Sequence, residues 1–414
     1  MAAQVDSAEK AGVFRRHVLY VPGYDPFPPR RYRELYRSEG AAQAAISGYR
    51  VEIRTRAGET HGWRVAARIE GREVEAEVEV LVWSDLVQQS MAQGIAATYV
   101  QLIRTAWAYL GSGALLRLMR LRKGPMIAAL YPIAVLIAQA VIALLVFFLA
   151  AKAFAWAWLV LVGPGEPGQW VAVLFGLVAG WLTLRGFRAL DHRVYAYYLM
   201  HDYAFTAGLR GENPPALERR MAEFRARIRA ALEHDLDEVL VVGHSSGVHL
   251  AVSVLADLIR EGLPARHPAL GFLSLGQVVP MVSFLPKAGR LRADLAFLST
   301  REELTWVDVS APGDGCSFAL CDPVAVSGVA PEGQRWPLVI SAAFSQTLSP
   351  DLWRALKRRY FRLHFQYLCA FDRPGDYDYF RITAGPLTLA ERFRGRKPSA
   401  SRITRPLSPH RSVA

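Results

Sequence analysis

The segment Leu236-Asp237-Glu238-Val239-Leu240-Val241-Val242-Gly243-His244-Ser245-Ser246-Gly247-Val248-His249-Leu250 changes character twice in fifteen residues. Its β-branched apolar run at 238–242 predicts a buried strand. Small residues follow at 243–247, and a helical pattern runs over 248–261. Strand, tight turn and helix in direct succession form half of a parallel strand–helix–strand unit. Upstream, Leu217, Met221, Phe224, Ile228 and Leu232 recur at spacings of four, three, four and four, which predicts an amphipathic helix over 216–234 with arginines on its outer side. Downstream, apolar runs at 271–275, 305–310 and 337–344 alternate with helical stretches. The expected fold class is therefore α/β, with a mostly parallel sheet flanked by helices.

The N-terminal block reads differently. An apolar strand at 17–21 enters Pro22-Gly23-Tyr24-Asp25-Pro26, and alternating runs follow at 49–56, 61–69 and 73–83. The turns Ala57-Gly58 and Glu70-Gly71 between them predict an antiparallel meander. Between the two blocks lies apolar sequence. Residues 126–150 carry no charge, enough for a helix of ~37 Å against a hydrocarbon core of ~30 Å. A second uncharged run covers 167–184, after the breaker Gly163-Pro164-Gly165-Glu166-Pro167-Gly168. Arg117, Arg120, Arg122 and Lys123 precede the first run and Arg185, Arg188 and Arg193 follow the second, so the pattern predicts a membrane hairpin with both ends cytoplasmic. The N-terminus has no secretory signal pattern. The expected division is 1–90 and 211–390 as two halves of one domain, a hairpin insertion at 91–210, and a basic, disordered tail at 391–414.

Composition supports a packed protein, with 52% hydrophobic and 21% charged residues, and excludes a largely disordered one. The net charge of +12 suits an anionic bilayer surface. The basic tail lacks the interleaved aromatics of a nucleic-acid site, so no nucleic-acid partner is expected. Three cysteines without ligand spacing predict neither a disulfide framework nor a metal site, and no cofactor is implied.

Gly243, Ser245 and Gly247 spell G-x-S-x-G between a strand and a helix. That context is what the pattern's mechanics require: a serine on a strained turn, its hydroxyl clear of the sheet and near a helix N-terminus. The competing reading is a helix-capping serine in a phosphate-binding turn, but neither a P-loop lysine nor G-x-G-x-x-G is present. The segment resembles the nucleophile elbow of the α/β-hydrolase family, lipases and esterases in particular, over roughly residues 14–90 and 211–385. The resemblance implies a serine hydrolase with Ser245 as nucleophile and, in family order, an acid and then a histidine.

Asp314, in the loop after the 305–310 strand, is the expected acid, with Asp308 and Asp322 as rivals. His364 is the expected base: His410 lies in the tail, and His364 to Tyr367 is similar to the H-x-x-Y sequence of some lipases. His244 and His249 are expected to be structural. The resemblance also implies an oxyanion hole from the backbone of Ser246 and of Gly23-Tyr24, although the sequence after Tyr24 departs from the family's HGGG form. The expectation is a membrane-anchored carboxylic ester hydrolase at the inner face of the plasma membrane, acting on a lipid-like or acyl ester. A hydrolase-fold scaffold without catalysis, binding a lipid or protein partner, is the alternative.

Overall fold

The computed structural model describes residues 13–54 and 61–414. Eight strands form one sheet: β1 (Phe14–Val21), β2 (Arg50–Arg54), β3 (Gly62–Ile69), β4 (Arg72–Val80), β5 (Glu238–His244), β6 (Ala269–Leu275), β7 (Leu304–Ser310) and β8 (Leu338–Ser341), in the order β2-β3-β4-β1-β5-β6-β7-β8. The expected α/β class and mostly parallel sheet are both present. β3 pairs antiparallel with β2 and β4, and every other pairing is parallel. The predicted meander is thus β2-β3-β4, while the Ala57-Gly58 turn lies outside the described residues. β1 is inserted between β4 and β5, aligning Val18 with both Val78 and Leu240. Burial explains the placement: β5 is buried at every position and can only be central, whereas β2 alternates between exposed and half-buried, as an edge strand can.

The first ten helices among the described residues are α1 (Arg30–Ser47), α2 (Ser84–Met91), α3 (Ile95–Gly111), α4 (Ala114–Leu121), α5 (Lys123–Leu161), α6 (Glu166–Ala189), α7 (Asp191–Val194), α8 (Ala196–Ala207), α9 (Pro215–Leu232) and α10 (Gly247–Arg260). Alternate residues of the central strands feed two cores. Val18, Tyr20, Leu240 and Val242 face one side; Leu19, Val21, Val239 and Val241 face the other, where the predicted stripe of α9 packs with α10.

α5 and α6 are each long and apolar enough to cross a membrane, and both are largely exposed. Their packing moves the free-standing segment along the chain from the expected 126–150. Met126 and Ala129 belong to a core with Phe284 and Phe318, Leu136 packs with Ala196 and Met200, and Tyr99 Oη donates to the Leu136 carbonyl. Beyond Leu136 the main partner of α5 is α6, with Gly180 against Ala143 and Gly176 against Phe147. Residues 137–161 span ~37 Å at 1.5 Å per residue, still sufficient for a bilayer. Hydropathy alone could not separate the buried turns of α5 from its exposed ones.

The tail corrects the expectation of disorder. Ser399 N–H donates to Val339 O (2.9 Å), Ile403 N–H to Leu320 O (2.7 Å) and Leu407 N–H to Val326 O (3.0 Å), while Asp322 N–H donates to Ile403 O. Ile403 and Leu407 pack on the core beside α4. An extended segment needs no helical periodicity to dock. Exposed backbone to bond and two apolar anchors suffice here.

Candidate active site

Three sterically enforced contacts build the turn after β5. A side chain at Gly247 would collide with the carbonyls of Val21 and Pro22 at the end of β1. A Cβ at Gly243 would lie 2.9 Å from Val248 Cα, and one at Gly23 would lie 3.0 Å from Ser245 Cβ. These absences of side chains bring β1, β5 and α10 together at a single point. Ser245 sits there with φ +56°, a left-handed conformation that is costly for a residue with a Cβ. Its amide donates to Leu275 O at the end of β6 (2.9 Å), which fixes the apex over the sheet.

Asp314 follows β7 in the turn closed by its own N–H to Ala311 O (2.9 Å). Its Oδ1 accepts from Cys316 N–H (2.9 Å), and its Oδ2 accepts from His364 Nδ1 (2.8 Å) and from Tyr367 Oη (3.0 Å). Burial pushes the Asp314 carboxyl up, but the adjacent His364 and the hydrogen bonds outweigh it and hold the group below the usual carboxylate range. With Nδ1–H donated to a carboxylate, the acceptor nitrogen of His364 is Nε2, which is buried and has no hydrogen-bond partner. His364 ends the short helix Tyr360–His364, so it does stand on a helix rather than in a bare loop.

Ser245, Ser246, His364, Gly23 and Tyr24 line one pocket of about 520 Å³. Asp314 lies behind His364. Ser245 and His364 share this pocket without a hydrogen bond between Oγ and Nε2. Such bonds are often long before substrate binds. Ser246 N–H lies at the N-terminus of α10, while Tyr24 N–H donates to Ser246 Oγ (2.8 Å). The two rival acids are occupied elsewhere. Asp308 accepts from Ser274 Oγ inside the sheet (2.6 Å), and Asp322 caps the helix Pro323–Val326 through Val324 and Ala325 N–H. His249 is buried within α10, and burial lowers it to about 4.

His244 has a more specific part than its expected structural one. Its Nε2–H donates to the His364 backbone carbonyl (3.0 Å), and burial lowers it to about 3, so the ring is neutral and pins the segment that carries His364. Tyr367 does similar work, donating to Asp314 while its oxygen accepts from Ala311 N–H (3.0 Å). The sequence signal for Tyr367 was its spacing from His364. No sequence signal marked the pocket's outer wall, where α8 contributes Tyr198, Asp202 and Tyr203. Burial pushes Asp202 up to about 7, with His364 opposing the shift. Asp314, Cys316 and His364 bring three potential ligand atoms within 4.8 Å of one another. Two of the three groups are committed to the Asp314–His364 bond, and burial raises the Cys316 thiol well above its ordinary range, so the set lacks a prepared thiolate.

No family model, curated protein or solved structure matches the chain.

Proposed function

We propose that this protein is a membrane-anchored serine hydrolase of the α/β-hydrolase type, cleaving a carboxylic ester of a lipid-like or acyl substrate. One observation carries the reading: a serine held at positive φ on a strand-to-helix apex shares its pocket with a histidine whose far nitrogen is bonded to a buried carboxylate. In this reading His364 Nε2 takes the Ser245 hydroxyl proton as Oγ bonds to the ester carbonyl carbon. Asp314 fixes the tautomer and stabilises the imidazolium. The carbon–oxygen bond to the alcohol breaks as Nε2 returns the proton to the leaving oxygen, and water then hydrolyses the acyl-enzyme through the same base.

Developing charge on the carbonyl oxygen falls at the N-terminus of α10, where Ser246 N–H is the first donor; one such donor is worth ~3–4 kcal/mol of barrier. A second donor from Gly23-Tyr24 would have to draw Tyr24 N–H away from Ser246 Oγ. That commitment, with the unmade Ser245–His364 bond, favours the second reading, a non-catalytic scaffold on the same fold. Two apolar helices and their arginine flanks support an anchor in the inner membrane with the site on the cytoplasmic side.

The test is a fluorophosphonate probe on detergent-solubilised protein. The expected result is labelling of wild type and none of Ser245→Ala. Folded wild type that stays unlabelled would overturn the hydrolase in favour of the scaffold.

A further inference from the structure

A second cavity lies behind the site pocket. It measures about 120 Å³, sits between α3 and α5, and is lined mostly by apolar side chains, Ala106, Leu110, Ala129, Leu130 and Ile133 among them, with Thr105, Tyr109 and Tyr203 also in its wall. The side chains of Tyr203 and Met281 belong to both cavities and form the partition between them. At its outer end the cavity reaches Leu110 and Leu130, which are 60% and 36% exposed. The same outer side of α3 presents Val100, Ile103 and Trp107, exposed by 46%, 67% and 76%. This apolar surface is continuous with the flank of α5. Leu130, at this outer end, lies ~10 Å along the helix axis from residue 137, where α5 leaves the body of the protein. Were a bilayer's hydrocarbon to begin at residue 137, this mouth would lie just on the headgroup side of the acyl chains.

Resting on the proposed ester hydrolase, we propose that this cavity is the acyl-chain site, filled laterally from the bilayer, with Tyr203 and Met281 as the partition the chain displaces to reach Ser245. Its volume is close to the ~150 Å³ of a dry apolar cavity that accepts benzene, which suits a short run of methylenes and no polar headgroup. Methionine is the side chain best able to move aside for a chain. The polar end of the substrate stays in the larger pocket, where the Asp202 carboxyl and the Ser245 hydroxyl are.

The experiment compares kcat/KM for p-nitrophenyl dodecanoate and p-nitrophenyl butyrate, using the full chain in phospholipid nanodiscs. Ala106→Phe, which fills the cavity, should lower the dodecanoate-to-butyrate ratio by about tenfold or more, the scale of one methylene in an apolar pocket. Met281→Ala, which thins the partition, should raise it. An unchanged ratio in folded Ala106→Phe overturns the proposal. Should that variant not fold, Leu110→Trp at the outer end carries the same expectation. A photoreactive diazirine palmitic acid reads the cavity without catalysis: its adducts should map to α3 and α5 and be lost in Ala106→Phe, and adducts elsewhere only would refute the site. Wild type that neither cleaves the butyrate nor takes a fluorophosphonate sinks the hydrolase reading instead, leaving the adduct map to judge the cavity.

Discussion

Asp308 and Asp314 are six residues apart, both buried, and pushed in opposite directions. Asp314 accepts hydrogen bonds from Cys316 N–H, His364 Nδ1–H and Tyr367 Oη, which outweigh its burial and hold it below the usual carboxylate range. Asp308 has one donor, Ser274 Oγ, and its Oδ2 is buried without a partner. Burial, with the nearby Asp322 carboxylate adding to it, raises Asp308 to about 7. The folded chain therefore holds this proton more tightly than the unfolded chain, whose carboxyl ionises near 3.8. Between about pH 4 and 7 the unfolded state loses the proton first, so this group lowers stability as pH rises, by up to ~1.4 kcal/mol per pH unit, and the loss levels off above 7. Asp308→Asn removes the titration with little change of shape. Its unfolding midpoint relative to wild type should gain more at pH 8 than at pH 5, as read by thermal melts in detergent. An equal offset at both values would mean that Asp308 is not protonated in the fold.

At the scale of elements, the strand–turn–helix around Ser245 was legible because three local signals agree there: a β-branched run, small residues at the turn, and helical periodicity. α9 was legible through its stripe, and Asp314 through its place after β7. Non-local arrangement was not. Nothing in the sequence of β1 states that it pairs with both β4 and β5, and α8 reads as an ordinary aromatic helix although it walls the pocket. Another unread pattern is Gly168, Ala172, Gly176 and Gly180, four apart and all buried on the face of α6 towards α5. A Cβ at Gly176 would meet the Phe147 carbonyl at 2.7 Å, whereas one at Gly186 meets nothing within 4 Å. Small residues at this period let two apolar helices approach where no hydrophobic drive exists between them. Gly176→Leu should lower the melting temperature of the solubilised protein by several degrees, in keeping with a loss of ~1–3 kcal/mol from overpacking, and Gly186→Leu should leave it nearly unchanged. Equal effects would show that the α5–α6 contact is not the one described.

For the whole molecule, the shift of the free-standing segment to residues 137–161 sets where a bilayer would lie. Arg185 stacks over Trp181 at the body end of the hairpin, their centres 5.2 Å apart, while Trp156 and Trp170 are 69% and 75% exposed near its tip. Tryptophans at both ends suit the two interfaces, and Lys152, one turn before Trp156, can extend its ammonium to the far one. With the arginines of α4 and α6 on the body side, the proposed orientation puts the tip loop outside the cytoplasm and the Ser245 pocket inside. Single cysteines placed at Gly163 in the tip and at Arg64 on β3 test this in a chain whose three native cysteines are replaced. A membrane-impermeant maleimide should label the Gly163→Cys variant in intact cells and the Arg64→Cys variant only in inverted vesicles. The reverse pattern would put the pocket on the other side of the membrane, and labelling of both in intact cells would mean that the hairpin does not cross.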